Sequence, residues 1–196
     1  MDEHNIGENS ENNDDIQIDV KKELISEALS WATIILFAVV FAVLINRFVI
    51  VNATVPTSSM EGTIRAADRI IAFRLSYLFS DPSTFDIIVF RGTDGDPDYY
   101  VKRVIGVPGD TVNIINGQVF INGSAMPLRD DFVQGPILGN YGPYEVPEGY
   151  FFVLGDYRSN SIDSRHWRDN AFVSENDIVG RVIFRYHPGF RLLRNT

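Results

Sequence analysis

Tyr99-Tyr100-Val101-Lys102-Arg103-Val104-Ile105, closed by Gly106-Val107-Pro108-Gly109-Asp110, reads as a β-strand that runs into a turn. Alternation along a strand puts Lys102 on the same face as Tyr100 and Val104, so the lysine points into apolar surroundings. Lysine is seldom buried, and one that points inward needs a chemical reason. Outward from this strand the pattern repeats. Residues 69–73, 86–90, 150–154 and 178–184 are short β-rich runs bounded by Gly, Pro or Asp. Asn116-Gly117 and Asn122-Gly123 are hairpin signals on either side of residues 118–121. No long amphipathic helix follows residue 52, and no internal repeat is visible. The expected fold is all-β, a partly closed barrel or sandwich over residues 52–196.

Upstream the chain changes character. Residues 1–20 are polar, with Asp2, Glu3, Glu8, Glu11, Asp14, Asp15 and Asp19 ahead of any lysine or arginine, and are expected to form a disordered acidic tail. Lys21 and Lys22 follow, and residues 28–46 carry no charge. Such a stretch, at about 1.5 Å per residue, spans roughly 28 Å as a helix, close to the hydrocarbon thickness of a bilayer. A buried core helix would be shorter and would show a polar stripe. Residues 21–51 are therefore expected to be a membrane anchor. Val51-Asn52-Ala53 resembles a cleavage site after small residues, so a cleaved leader competes. A leader opens on a short basic region, however, and this chain opens on an acidic one, which favours a retained anchor. Lys21 and Lys22 against Arg47 place the N-terminus in the cytoplasm and residues 48–196 outside.

Composition narrows the chemistry. The 196 residues are 45% hydrophobic, enough for a core, and the net charge of -9 argues against a nucleic-acid partner. With no cysteine there is no disulfide, thiol nucleophile or cysteine-bound zinc. His4, His166 and His187 form neither an HExxH pair nor a metal cluster, and no glycine-rich phosphate loop occurs, so neither metal nor cofactor is expected. A Ser–His–Asp triad through His166 is possible on paper; a loop histidine is the simpler reading. What remains is the inward-pointing Lys102 and the serine of Val55-Pro56-Thr57-Ser58-Ser59-Met60-Glu61-Gly62-Thr63. A serine hydroxyl attacks only when a base takes its proton. A solvated lysine is charged at neutral pH, but burial disfavours the ammonium and lowers its pKa into the range of a general base.

These residues resemble the signature boxes of bacterial type I signal peptidases. Pro56-Thr57-Ser58-Ser59-Met60, the strand 100–110 and Gly155-Asp156-Tyr157-Arg158-Ser159-Asn160-Ser161-Ile162-Asp163-Ser164-Arg165 follow one another in the family's order behind one anchor, with 86–90 as a minor fourth box. The resemblance covers about residues 28–187. It implies a membrane-bound serine endopeptidase that removes signal peptides from exported preproteins after small residues. Ser59 would be the nucleophile, Lys102 the base, and the Ser59 N–H with the Thr57 hydroxyl the oxyanion donors. Ser161 would orient the lysine amine, and Asp163, with Arg165 and Arg103, would shape the site. Val55, Pro56, Met60, Ile64, Tyr100 and Val101 would wall the substrate pockets, and membrane lipid would be a second partner. Three positions depart from the pattern: Gly62 stands where proline is common, Phe85 where glycine is common and Tyr157 where asparagine is common. The short span between the last two boxes speaks against a large second β-domain. A self-cleaving Ser–Lys protease of the repressor type and a tethered binding module are the competing readings; the anchor and the missing DNA-binding segment count against the first.

Overall fold

The computed structural model describes residues 7–92, 98–167 and 170–193, with side chains from Lys21 onward. The chain forms two compact units that divide between Ile45 and Asn46. The first is built from helix α1 (Gly7–Phe48). Its segment Lys21–Phe48, 28 residues, is long and apolar enough to cross a membrane. Leu29, Trp31, Phe37 and Phe41 on it are exposed, as suits a helix whose solvent is hydrocarbon.

Two expectations change here. Residues 7–20, read as disordered tail, continue α1, while residues 1–6 lie outside the described residues. The helix also stops at Phe48 rather than 51, because Ile50 and Val51 already pair with Phe73 and Ala72 as strand residues.

The second unit is mostly β-sheet, as expected. Its strands are β1 (Ile50–Thr54), β2 (Arg69–Phe73), β3 (Ile87–Arg91), β4 (Tyr99–Gly106), β5 (Thr111–Ile115), β6 (Gln118–Ile121), β7 (Tyr141–Glu145), β8 (Tyr150–Leu154), β9 (Val173–Ser174), β10 (Ile178–His187) and β11 (Arg191–Leu192). They make two antiparallel sheets, one ordered β1-β2-β10-β3-β4-β8-β9 with β11 on β10, the other β6-β5-β7. The second sheet is small. Strand β7 escapes recognition in the sequence because Gly142 and Pro143 interrupt it; it sits at a sheet edge, where proline is tolerated. Between β5 and β6, Asn116 and Gly117 have φ of 51° and 82°, the two left-handed residues that a tight hairpin demands.

The core covers both faces of the central strand β3. Ile87 and Val89 pack with Val55, Met60, Ile64, Ile70 and Val182, whereas Ile88 and Phe90 pack with Val104, Phe151 and Val153. A third cluster, around Val112, Ile114 and Phe152, joins the small sheet to the large one. Strand β4 is thus clamped between β3 and β8, which fixes whatever its side chains carry.

Candidate active site

Strand β4 presents Lys102, opposite Ile88 of β3. The turn after Val55 presents Ser59, held by a backbone bond from Tyr157 N–H to the Ser59 carbonyl at 3.0 Å. The two side chains meet, with Lys102 Nζ 2.7 Å from Ser59 Oγ. Lys102 is 3% exposed and Ser59 7%. Burial lowers the lysine pKa from 10.5 to about 8, against the pull of the Asp163 and Asp156 charges, with Arg165 adding a small further lowering. A lysine in this state gives up its proton within reach of neutral pH, beside one hydroxyl. Thr57 Oγ1 lies 3.5 Å from Ser59 Oγ, and Asn160 Nδ2 donates to Ser58 Oγ at 2.8 Å, a second tie on the nucleophile's loop.

The acidic residues serve different arginines. Arg103, on the opposite face of β4 from Lys102, pairs with Asp156. Its Nε and Nη2 donate to the two Asp156 oxygens at 2.8 and 2.7 Å, and its Nη1 donates to the Phe85 carbonyl at 2.9 Å. The guanidinium also stacks 3.8 Å from the Phe132 ring, and Thr63 Oγ1 donates to Asp156 at 2.6 Å. Asp163 pairs with Arg165 through Nε and Nη2, both at 2.8 Å, and accepts from Gly155 N–H at 3.0 Å. Burial works against ionising Asp163, but Arg165 and the Gly155 amide outweigh it and hold the carboxyl below its ordinary range. A third pair, Arg158 with Asp130 at 2.9 Å, braces the same loop. None of Asp130, Asp156 or Thr63 stands out in the sequence as a pairing partner, since each reaches across tens of residues.

Ser161, expected to orient the lysine amine, lines the same cleft as Lys102. Its hydroxyl is buried without a well-aligned hydrogen-bond partner, close enough to Asp163 to favour the charged carboxylate. His166 Nδ1 lies 3.7 Å from Asp163, whose oxygens already serve Arg165 and Gly155. The titratable side chain in contact with Ser59 is Lys102. Among the described residues no group of His, Asp and Glu side chains could hold a metal ion.

Two clefts meet at the Ser59/Lys102 pair. One, of about 510 Å³, runs between β1 and the start of β4 and is lined by Ala53, Val55, Pro56, Val89, Tyr100 and Val101. Of the residues expected to wall substrate pockets, Val55, Pro56, Tyr100 and Val101 line this cleft, whereas Met60 and Ile64 do not. Both of these are fully buried in the core against β2 and β10. The other cleft, of about 580 Å³, shares Thr57, Ser59, Tyr100 and Lys102 and is walled by Pro136, Leu138, Tyr141, Ile162 and His166. Outside the clefts, Gly62 has φ 104° and Phe85 φ 75°. Proline cannot adopt the first, and glycine suits the second, so the two departures trade conformational demands at two separate turns.

A β-fold that buries a lysine amine against a serine hydroxyl at the junction of two open clefts defines a serine hydrolase site for an extended chain. The model of the family described as signal peptidase, peptidase S26, matches residues 28–187, and the chain belongs to that family. It is 40% identical over 162 residues to signal peptidase I of Leptolyngbya laminosa, covering 79% of this chain and 77% of the relative. It is 38% identical over 156 residues to probable signal peptidase I-2 of Synechocystis sp., covering 77% and 69%. Against signal peptidase I of Bacillus amyloliquefaciens it is 35% identical over 182 residues, covering 87% and 94%.

Proposed function

We propose that this chain removes N-terminal signal peptides from exported preproteins as a membrane-bound serine endopeptidase, with Ser59 as nucleophile and Lys102 as general base. The single observation that carries this reading is the 2.7 Å approach of the buried Lys102 amine to the Ser59 hydroxyl. The neutral amine takes the Ser59 proton as Oγ attacks the scissile carbonyl. The tetrahedral oxyanion is held by Ser59 N–H and the Thr57 hydroxyl, each donor contributing a few kcal/mol. Lys102 returns the proton to the leaving amine, an acyl-enzyme remains, and a water activated by the same lysine hydrolyses it. Base, nucleophile and oxyanion donors all come from the chain, so the route needs neither metal nor cofactor.

The substrate enters as a strand. Strand β1 is the terminal strand of the large sheet, and residues 99–102 of β4 pair with β3 but not with β8, whose partners begin at Arg103. An extended peptide fits between β1 and the start of β4, in the cleft lined by Val55, Pro56, Tyr100 and Val101. Its apolar walls are the surfaces that would select small side chains at the first and third positions before the cut.

The anchor holds the N-terminus in the cytoplasm and residues 48–196 on the outer side, supported by Lys21 and Lys22 against Arg47. Lipid contact extends to the loop after β2. Arg74 N–H donates to the Val49 carbonyl at 2.8 Å, which seats this loop beside the residues that follow the anchor. Leu78 is exposed there, as is Phe79 at 91%. Because the chain lacks cysteine, Phe79→Cys gives a unique label site; a water-soluble thiol reagent should label it more slowly in vesicles than in detergent, and equal rates would remove lipid contact from the proposal.

The decisive test is cleavage of a preprotein by the full-length chain, Ser59→Ala and Lys102→Ala. Wild type should release the signal peptide, and each variant should lose about 10³-fold or more in rate. Equal cleavage by all three contradicts the assignment.

A further inference from the structure

We infer that the second cleft at the Ser59/Lys102 pair binds the first residues of the mature chain, beyond the cut, and prefers an apolar side chain there through Leu138 and Ile162. The inference rests on the peptidase reading and adds a specificity that the family match does not assign. A peptide bond presented to Ser59 has chain on both sides. Once the residues before the cut occupy the β1/β4 cleft, the residues after it leave through the cleft that shares Thr57, Ser59, Tyr100 and Lys102 with it.

The far part of that cleft is apolar at its rim. Leu138 is 76% exposed and Ile162 73%, and with Pro136 and Tyr141 they line the same space. Large aliphatic side chains left this open beside a catalytic pair gain by covering an apolar group of the substrate. Both are carried on held segments. The stretch before Leu138 is pinned where Gln134 N–H donates to the Asp156 carbonyl and Arg158 N–H donates to the Gln134 carbonyl, both at 2.8 Å. Ile162 follows Ser161 and precedes Asp163, whose carboxylate is fixed by Arg165. Arg158 and Arg165, which also line the cleft, pair with Asp130 and Asp163. At its rim the cleft offers a ready surface to an aliphatic or aromatic side chain.

The test uses the full-length protein in detergent with two internally quenched peptides. They share alanine at the first and third positions before the cut and differ after it, one carrying leucine at the first two positions and the other serine. Wild type should cleave the leucine peptide with a kcat/KM roughly five- to tenfold higher, the scale of partly burying one aliphatic side chain. In Leu138→Ser/Ile162→Ser that ratio should fall towards one. The ratio does not depend on the active fraction, so partial misfolding of the variant leaves it readable. A wild-type ratio of one, or a variant that keeps the wild-type ratio, overturns the inference while leaving the peptidase reading in place. Cleavage of neither peptide by wild type overturns both.

Discussion

Lys102 and Ser59 lie 43 positions apart in the sequence and meet at 2.7 Å in a site from which solvent is nearly excluded. The contact is made by a strand paired with β3 at Lys102 and clamped between β3 and β8 from Arg103 onward, and by a loop tied to the segment that follows β8. Such a base works because it is costly to charge, and that cost is measurable in stability.

Lys102→Met should raise the melting temperature at pH 7. The buried amine has a folded pKa near 8, below its unfolded 10.5, so it burdens the fold wherever it is protonated. The sign follows from proton binding: between about pH 8 and 10.5 the unfolded chain holds more protons, so wild-type stability from this group rises across that window. The gain from Lys102→Met, roughly 1–3 kcal/mol at pH 7, should shrink as pH climbs through it. Thermal melts of the two proteins from pH 7 to 10 check this; a variant less stable than wild type at pH 7 runs against it.

Asp156→Ala should be far more damaging than its distance from the chemistry suggests. It strands Arg103, a fully buried cation whose Nε and Nη2 both donate to that carboxylate. Leaving such a charge unpaired costs about 3–5 kcal/mol. Denaturant unfolding of the variant should show a loss on that scale, and a loss below about 1 kcal/mol would mean that Arg103 finds another partner.

Gly62→Pro should destabilise the protein even though proline is common at this place in related chains. The φ of 104° at Gly62 lies outside the range a proline ring allows, near −65°. A loss of about 3 kcal/mol or more in urea unfolding is expected. An unchanged midpoint would show that the turn rebuilds itself.

Asn160→Ala should lower kcat more than it raises KM. Its amide ties Ser58, and the peptide between residues 58 and 59 carries the Ser59 N–H proposed above as an oxyanion donor. Loosening that donor costs up to about tenfold to a hundredfold in rate, since small misplacements are amplified in the transition state. Steady-state kinetics on one peptide separates the two parameters; a pure KM effect would recast Asn160 as a substrate contact.

Much of this was legible beforehand because the informative residues are local. The run from Tyr99 to Asp110 announces both a strand and an inward lysine, and the Asn116-Gly117 turn fixes the register of the hairpin around it. Ion-pair partners are not always local. Asp163 and Arg165 stand two residues apart, but only the fold brings Arg103 to Asp156, 53 positions away. Met60 and Ile64 carry the residue types of a pocket wall, yet the same types serve the core, and packing against β2 and β10 decides for the core. The start of α1 at Gly7 was hidden because polar composition describes solvation and says little about helicity.

The most direct test of a base kept neutral by burial is the pH dependence of kcat/KM on one peptide substrate. With Lys102 acting as the free base, the rate should fall tenfold per unit below an inflection near pH 8 and level off above it. An inflection near 10.5, the value of a solvated lysine, would show that this amine is not held by its surroundings and would contradict the mechanism.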